Sequence, residues 1–175
     1  MIDLIPNGST WDEVLLLAKE IEAAGASIIN TGIGWHEARI PTIATSVPRR
    51  AFSWVTKKLM GQLKIPIVTS NRINTADIAE SVLADGCADM VSMARPFLAD
   101  PNFMAKVYAD VSQTIVPCIA CNQACLDHTF SMKLTSCLVN PSACNEAEFN
   151  YQGVPKKVKK IAIIGSGPAG LSAAL

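Results

Sequence analysis

Four of the six cysteines fall in one short stretch. Cys118, Cys121, Cys125 and Cys137 follow the spacing C-x2-C-x3-C-x11-C. Three thiolates within eight residues can wrap one face of a cluster, and a fourth can close it from a distance. Four thiolates are the usual requirement of an iron–sulfur cluster, although this spacing matches neither common ferredoxin run. Structural zinc usually takes two separated pairs of Cys or His, which this is not, yet on spacing alone zinc stays open as the competing metal. Cys87 reads as a small buried residue behind a helix, and Cys144 as a bystander or spare ligand.

A second group is the glycine run Gly165-x-Gly167-x-x-Gly170, placed after an apolar stretch and before a helix-forming one. In that context the first glycine allows a tight turn, the second lets the backbone approach a pyrophosphate, and the third permits close helix–strand packing. The pattern alone does not separate FAD from NAD. A third group is a pair of arginines, Arg72 and Arg95, each just after an expected strand. Chemistry in βα folds collects at the C-terminal ends of strands, and the planar guanidinium fork suits phosphate. Each arginine could instead pair with a carboxylate; two at adjacent strand ends favour the phosphate. His36 stands at a third strand end, in Trp35-His36-Glu37-Ala38-Arg39, with an ordinary pKa suited to proton transfer. His128, in the cysteine loop, reads as structural or solvated.

The elements that must position these groups alternate. Thr10 and Glu13 form a capping box, and Trp11, Val14, Leu15, Ala18 and Ile21 follow as an amphipathic stripe ended by Gly25. A strand is expected over 27–32, a helix over 51–63, a strand over 66–70, a helix over 76–84 capped by Thr75 and closed by Gly86, a strand over 89–94 and a helix over 101–109. Helix–strand alternation with apolar strands implies parallel strands buried on both faces. Three repeats do not distinguish a barrel from an open sheet. A lysine-rich linker, 156–160, precedes a last expected strand at 161–164. Both ends interrupt a pattern, so the chain reads as an internal stretch of a longer protein.

Composition narrows the class. Fifteen basic residues balance fifteen acidic ones, which argues against a nucleic-acid binder. Half the residues are apolar and 17% are charged, too greasy for a disordered chain. No apolar run reaches the ~18 residues of a membrane span, and no basic-then-apolar leader opens the chain, so the expectation is a cytoplasmic protein. There, six cysteines point to metal or redox chemistry rather than disulfides.

Taken in order, barrel-like strands, the four-cysteine run and the glycine run resemble the iron–sulfur flavoenzymes related to Old Yellow Enzyme. Residues 28–41, INTGIGWHEARIP with its leading isoleucine, resemble the bacterial 2,4-dienoyl-CoA reductases, as do VSMARPFLAD at 91–100 and CIACNQACLD at 118–127. The resemblance covers essentially the whole chain, and the chain about a quarter of such an enzyme. It implies an α/β fold with three parts: the last strands of an FMN-binding TIM (β/α)8 barrel at 1–110, a 4Fe-4S segment at 111–150, and at 151–175 a linker and the first βα of a Rossmann-like FAD domain.

It also implies an electron route from NADPH to FAD, to the cluster, to FMN and to an acyl-CoA, giving an enoyl-CoA within unsaturated fatty acid β-oxidation. Carried over by residue, Arg72, Ala94 and Arg95 match FMN contacts. His36, Glu37, Ala38 and Arg39 match the substrate stretch, with His36 in the proton-donating pair. Cys118, Cys121, Cys125 and Cys137 match the cluster ligands, and Gly165, Gly167 and Gly170 the FAD turn. The family's proton-donating tyrosine has no counterpart: neither Tyr108 nor Tyr151 stands at a strand end. The isolated chain is therefore expected to be inactive. Competing readings are an enoate reductase of the same family, a zinc-binding module and a non-functional fragment. Oligomeric state is not readable.

Overall fold

The computed structural model describes residues 7–35, 38–149 and 159–174. Helix α1 (Trp11–Ala23) starts as the capping box requires: Thr10 Oγ1 accepts from the Glu13 N–H at 3.3 Å, and Glu13 Oε2 accepts from the Thr10 N–H at 2.8 Å. At its other end Gly25 takes φ 95°, and Ala26 N–H to Ile21 C=O and Gly25 N–H to Glu22 C=O close a Schellman turn. Of the stripe, Val14 and Ala18 are fully buried while Leu16 and Leu17 face outward.

The chain continues through β1 (Ile29–Asn30), α2 (Ser53–Leu59), β2 (Ile67–Thr69), α3 (Ala76–Ala84) and β3 (Met90–Val91). The three strands form one parallel sheet in the order β1-β2-β3, with Ile29 opposite Ile67 and Val68 opposite Met90. Neighbours in space follow neighbours in sequence, as in a singly wound barrel wall. Apolar side chains of α1 and α2 pack on this wall: Ala18, Ile29, Leu59 and Ile67 form one buried group, and Val14, Ile33, Val47, Phe52 and Val55 another. Ile73, Val82 and Cys87 form a third beneath α3, so Cys87 is the buried small residue its position suggested.

Several expectations change. The strands are shorter than their apolar runs, and only β2 is buried throughout. β2 alone has a hydrogen-bonded neighbour on each side, whereas β1 and β3 have one each among the described residues. Thr75 precedes α3 without a side-chain capping bond. A helix not expected from sequence, α4 (Arg95–Ala99), begins directly at the third strand end and precedes α5 (Phe103–Tyr108). Finally, 161–164 joins no ladder among the described residues, and Ile161 and Ile164 are exposed. A strand exists only through its partner's hydrogen bonds, and no described segment supplies them.

Past α5 a 3-10 turn (Ser112–Thr114) leads to α6 (Leu126–Phe130) and, further on, α7 (Pro168–Ala174). Asp100 fastens this passage. Its buried carboxylate accepts from Lys106 Nζ at 2.6 Å, Val116 N–H at 2.9 Å and Asn102 N–H at 3.0 Å. Burial pushes its pKa up, but the Lys106 ammonium and the two backbone donors outweigh it and hold the carboxyl below its ordinary value. A depressed carboxyl pKa contributes stability above about pH 4, lost as pH falls through the folded value. Asp100→Asn is expected to cost about 2 kcal/mol at neutral pH and to flatten that acid limb, read by urea unfolding at pH 7 and below pH 4.

Candidate flavin and cluster site

The three strand ends converge on one side of the sheet. A cavity of about 400 Å³ opens there, lined by Asn30 at the end of β1, by Ser70, Asn71 and Arg72 after β2, by Ser92, Met93, Ala94 and Arg95 after β3, and by Thr42 and Ile43. The β2 end is tied to the β1 end: Ser70 Oγ donates to the Thr31 C=O, and Asn71 Nδ2 donates to the Ile33 C=O at 3.1 Å. Asn71 and Arg72 both lie in the left-handed region, at φ 73° and 57°. Such a pair is held only by surrounding bonds, and strained backbone of this kind gathers at functional sites.

Arg72 is buried, and its Nε donates to the Val47 C=O at 2.8 Å. Arg95 Nη1 donates to the Ile43 C=O at 3.0 Å and to Asn122 Oδ1 at 2.5 Å. Neither arginine has a carboxylate partner among the described residues, where the ion pairs are Arg50–Asp85 and Lys106–Asp100. Burial pushes the Arg72 pKa down, and Arg95 and then Arg49 push it further against an opposing pull from Cys118. Two cations facing each other without an anion make a site of positive potential. The donor set fits the phosphate of FMN: two forks and neutral Ser and Asn groups, with no competing carboxylate among the lining residues.

The cysteine segment docks against this rim. Asn74 Nδ2 donates to the Cys118 C=O at 2.7 Å, Thr45 Oγ1 to the Ile119 C=O at 2.5 Å, and Asn140 Nδ2 to the Leu98 C=O at 3.0 Å. Cys118, Cys121 and Cys125 occupy one loop; Ser136 N–H then donates to the Ala124 C=O at 2.7 Å, which returns Cys137 to the neighbourhood of Cys125. Burial pushes the Cys125 thiol up, opposed by the Leu126 N–H and Arg95 and reinforced by Cys118 and Cys121. All four thiols are free and half-buried, and Cys144 is exposed. Among the described residues no group of three His, Cys, Asp or Glu side chains is arranged to hold a single metal ion.

A second recess of about 490 Å³ adjoins the first, sharing Thr42 and Asn71 and adding Gly32, Ile33, Gly34, Trp35 and Phe130. Phe130 comes from α6, so the cysteine segment also walls this recess. His36 and Glu37 lie outside the described residues. Ala38 N–H donates to the Trp35 C=O at 3.3 Å, and Arg39 lines a different recess with Pro41, Val47 and Trp54. The structure thus does not bring Arg39 to the strand-end cavities. His128 is half-buried, with Nδ1 2.9 Å from the Leu134 C=O.

In the glycine turn, Gly165 takes φ 112°, a Cβ at Gly170 would stand 2.0 Å from the Gly165 carbonyl oxygen, and one at Gly167 would meet nothing within 4 Å. The tight turn at Gly165 is the one the spacing required, and the close approach at Gly170 is to that turn.

Sequence reasoning did not single out Asn122, Asn71 or Phe130. Asn122 carried a faint signal, an Asn inside the cysteine loop; it sits at φ 64°, a conformation Asn tolerates better than most residues.

A parallel βα wall with a cationic pocket at its strand ends defines the class: a TIM-barrel-type fold fragment whose strand-end pocket is chemically suited to an anion. The chain belongs to the NADH:flavin oxidoreductase / NADH oxidase family, whose profile matches residues 1–113. It is 41% identical over 169 residues to the metal reductase of Desulforamulus reducens, covering 97% of this chain and 25% of that protein. It is 28% identical to the cinnamate reductase of Clostridium sporogenes, covering 95% of this chain and 25% of that protein. A solved 2-naphthoyl-CoA reductase in complex with 2-naphthoyl-CoA superposes with a TM-score of 0.90 at 35% identity, covering 99% of this chain and 27% of that one. The chain spans about a quarter of the length of the curated relatives it matches. No helix among the described residues is long and apolar enough to cross a membrane.

Proposed function

We propose that this chain supplies the FMN phosphate pocket and the 4Fe-4S ligands of a larger cytoplasmic, NADPH-dependent reductase. Its substrate would be a conjugated acyl-CoA, a 2,4-dienoyl-CoA reduced to the enoyl-CoA. The observation that carries the reading is the pair Arg72 and Arg95, which face one strand-end cavity without a carboxylate partner and share that rim with the four-cysteine segment. Bound FMN would supply hydride chemistry, and a cluster the single-electron link from a second flavin. Arg72 and Arg95 would hold the phosphate. Ser70 and Asn71 fix the β2 end so that Arg72 faces the pocket. Cys118, Cys121, Cys125 and Cys137 would ligate the cluster. Trp35, Phe130 and the small floor of Gly32 and Gly34 leave room for a flat acyl group. His36, beside that recess in sequence, would hold the proton. Gly165, Gly167 and Gly170 would admit FAD. The naphthoyl-CoA reductase likeness supports a CoA thioester.

A second reading, an enoate reductase acting on a free acid, draws on the likeness to the cinnamate reductase. The test assays the full-length gene product anaerobically with NADPH on 2,4-dienoyl-CoA and on cinnamate, alongside iron, sulfide and flavin analysis. Turnover of the dienoyl-CoA at ten or more times the kcat/KM of cinnamate is the expected result. The reverse ratio selects the enoate reductase, and zinc in place of iron and sulfide removes the cluster from the proposal.

A further inference from the structure

Asn122 stands between the second and third cysteines of the cluster segment, yet its side chain reaches away from them to the barrel. Its Oδ1 receives Arg95 Nη1 at 2.5 Å, and its Nδ2 approaches the Ile43 C=O at 3.5 Å, the same carbonyl that receives Arg95 Nη1 at 3.0 Å. A guanidinium has donors only, so the amide oxygen must face it. Arg95 is therefore gripped by one barrel carbonyl and one residue of the cysteine loop. Its remaining nitrogens have no partner among the described residues, and it lines the cavity that Arg72 also enters. The backbone of Asn122 supports the placement: φ 64° turns the loop so that this one side chain leaves the cysteines for the strand end. Nearby bonds hold the loop there independently, from Asn74 to the Cys118 C=O and from Thr45 to the Ile119 C=O.

We infer that Asn122 is a positioning residue for flavin phosphate, aiming Arg95 into the pocket from the cluster-bearing loop. The inference rests on the FMN reading above. It makes the loop part of the phosphate site, so that order in the cysteine segment and affinity for the phosphate are linked in both directions. It also separates two effects that a loop residue could have. A residue that merely shapes the loop would alter binding of any flavin. A residue that acts through Arg95 alters binding only of a flavin that carries phosphate.

The experiment compares FMN with riboflavin, which lacks the phosphate, by fluorescence titration of the flavin-free full-length gene product. Asn122→Gly removes the side chain and keeps the left-handed backbone comfortable. Its expected result is an about tenfold loss of FMN affinity, the low end for one charge-assisted hydrogen bond, with riboflavin affinity and iron and sulfide content unchanged. In an Arg95→Met background the same change is expected to add nothing. If Asn122→Gly does not fold, Asn122→Asp carries the test, because a carboxylate on Arg95 also lowers the preference for FMN. Equal loss for both flavins, or an unchanged ratio while Arg95→Met lowers it, overturns the role of Asn122 alone. A parent protein that does not distinguish FMN from riboflavin overturns the phosphate pocket itself, and Asn122's role with it.

Discussion

Replacing Arg72 by methionine will weaken FMN binding about 100-fold while leaving the flavin-free protein as stable as before, within about 3 °C of its melting temperature. Methionine has a similar unbranched stem, so packing is nearly conserved. What disappears is a buried cation. In the flavin-free protein that cation costs stability: it is out of water, lacks a carboxylate partner among the described residues, and faces Arg95. It also contributes one hydrogen bond, from Nε to the Val47 C=O. Losing that bond costs about 1 kcal/mol, and relieving an unpaired buried charge returns a similar amount. With phosphate present the balance changes, because a bidentate, charge-assisted contact of about 3 kcal/mol is absent from the variant. The measurement is a pair of thermal unfolding curves, with and without FMN, beside a flavin titration. A lower melting temperature without FMN together with unchanged affinity would make Arg72 a structural anchor for Val47 and remove it from the flavin site.

The same arginines show what the sequence could and could not reveal. Their place after short apolar runs was readable, because parallel strands carry their functional residues at the C-terminal ends, and β2 and β3 do end just before them. Helix α3 was readable to the residue, with Thr75 before it and Gly86 after it, although Thr75 makes no side-chain capping bond. Choosing a barrel wall over an open sheet was not, since three parallel strands in the order β1-β2-β3 occur in both, and the barrel-type fold is shown by the family and the naphthoyl-CoA reductase likeness. Strand lengths were overestimated because an apolar run such as 27–32 marks what can be buried, but only Ile29–Asn30 finds a ladder. Helix α4 escaped notice because it begins on the strand-end residue Arg95, with Pro96 in its first turn and no capping side chain before it.

The cysteines illustrate the opposite limit. Spacing named the four thiols, but their docking runs through Asn74, Thr45 and Asn122, polar side chains with no periodicity to betray them. What links cysteine segment and barrel wall is thus a set of single hydrogen bonds across 27 to 79 residues of chain, visible only once the fold has closed.

Two glycines of the same motif will fail in different ways. Gly170→Ala will destabilise the region around α7 by about 3 kcal/mol or more, because the added methyl would stand 2.0 Å from the Gly165 carbonyl oxygen and 2.9 Å from its carbon. Both are backbone atoms, so neither can swing aside as a side chain would. Gly165, at φ 112°, holds a conformation that side chains rarely adopt, so the turn cannot easily re-form around the intruding group. Gly167→Ala meets no atom within 4 Å and has no left-handed backbone to strain, so the flavin-free protein should keep its stability within about 0.5 kcal/mol. If the open space beside Gly167 is where a pyrophosphate approaches, the methyl occupies that space, and FAD affinity should fall by an order of magnitude or more. The comparison needs FAD and FMN content per chain and an unfolding curve for each variant of the full-length gene product. Loss of FAD with retained FMN and retained stability in Gly167→Ala assigns the turn to the second flavin. Full FAD content in Gly167→Ala would leave Gly170 as a packing residue and the turn without a cofactor role.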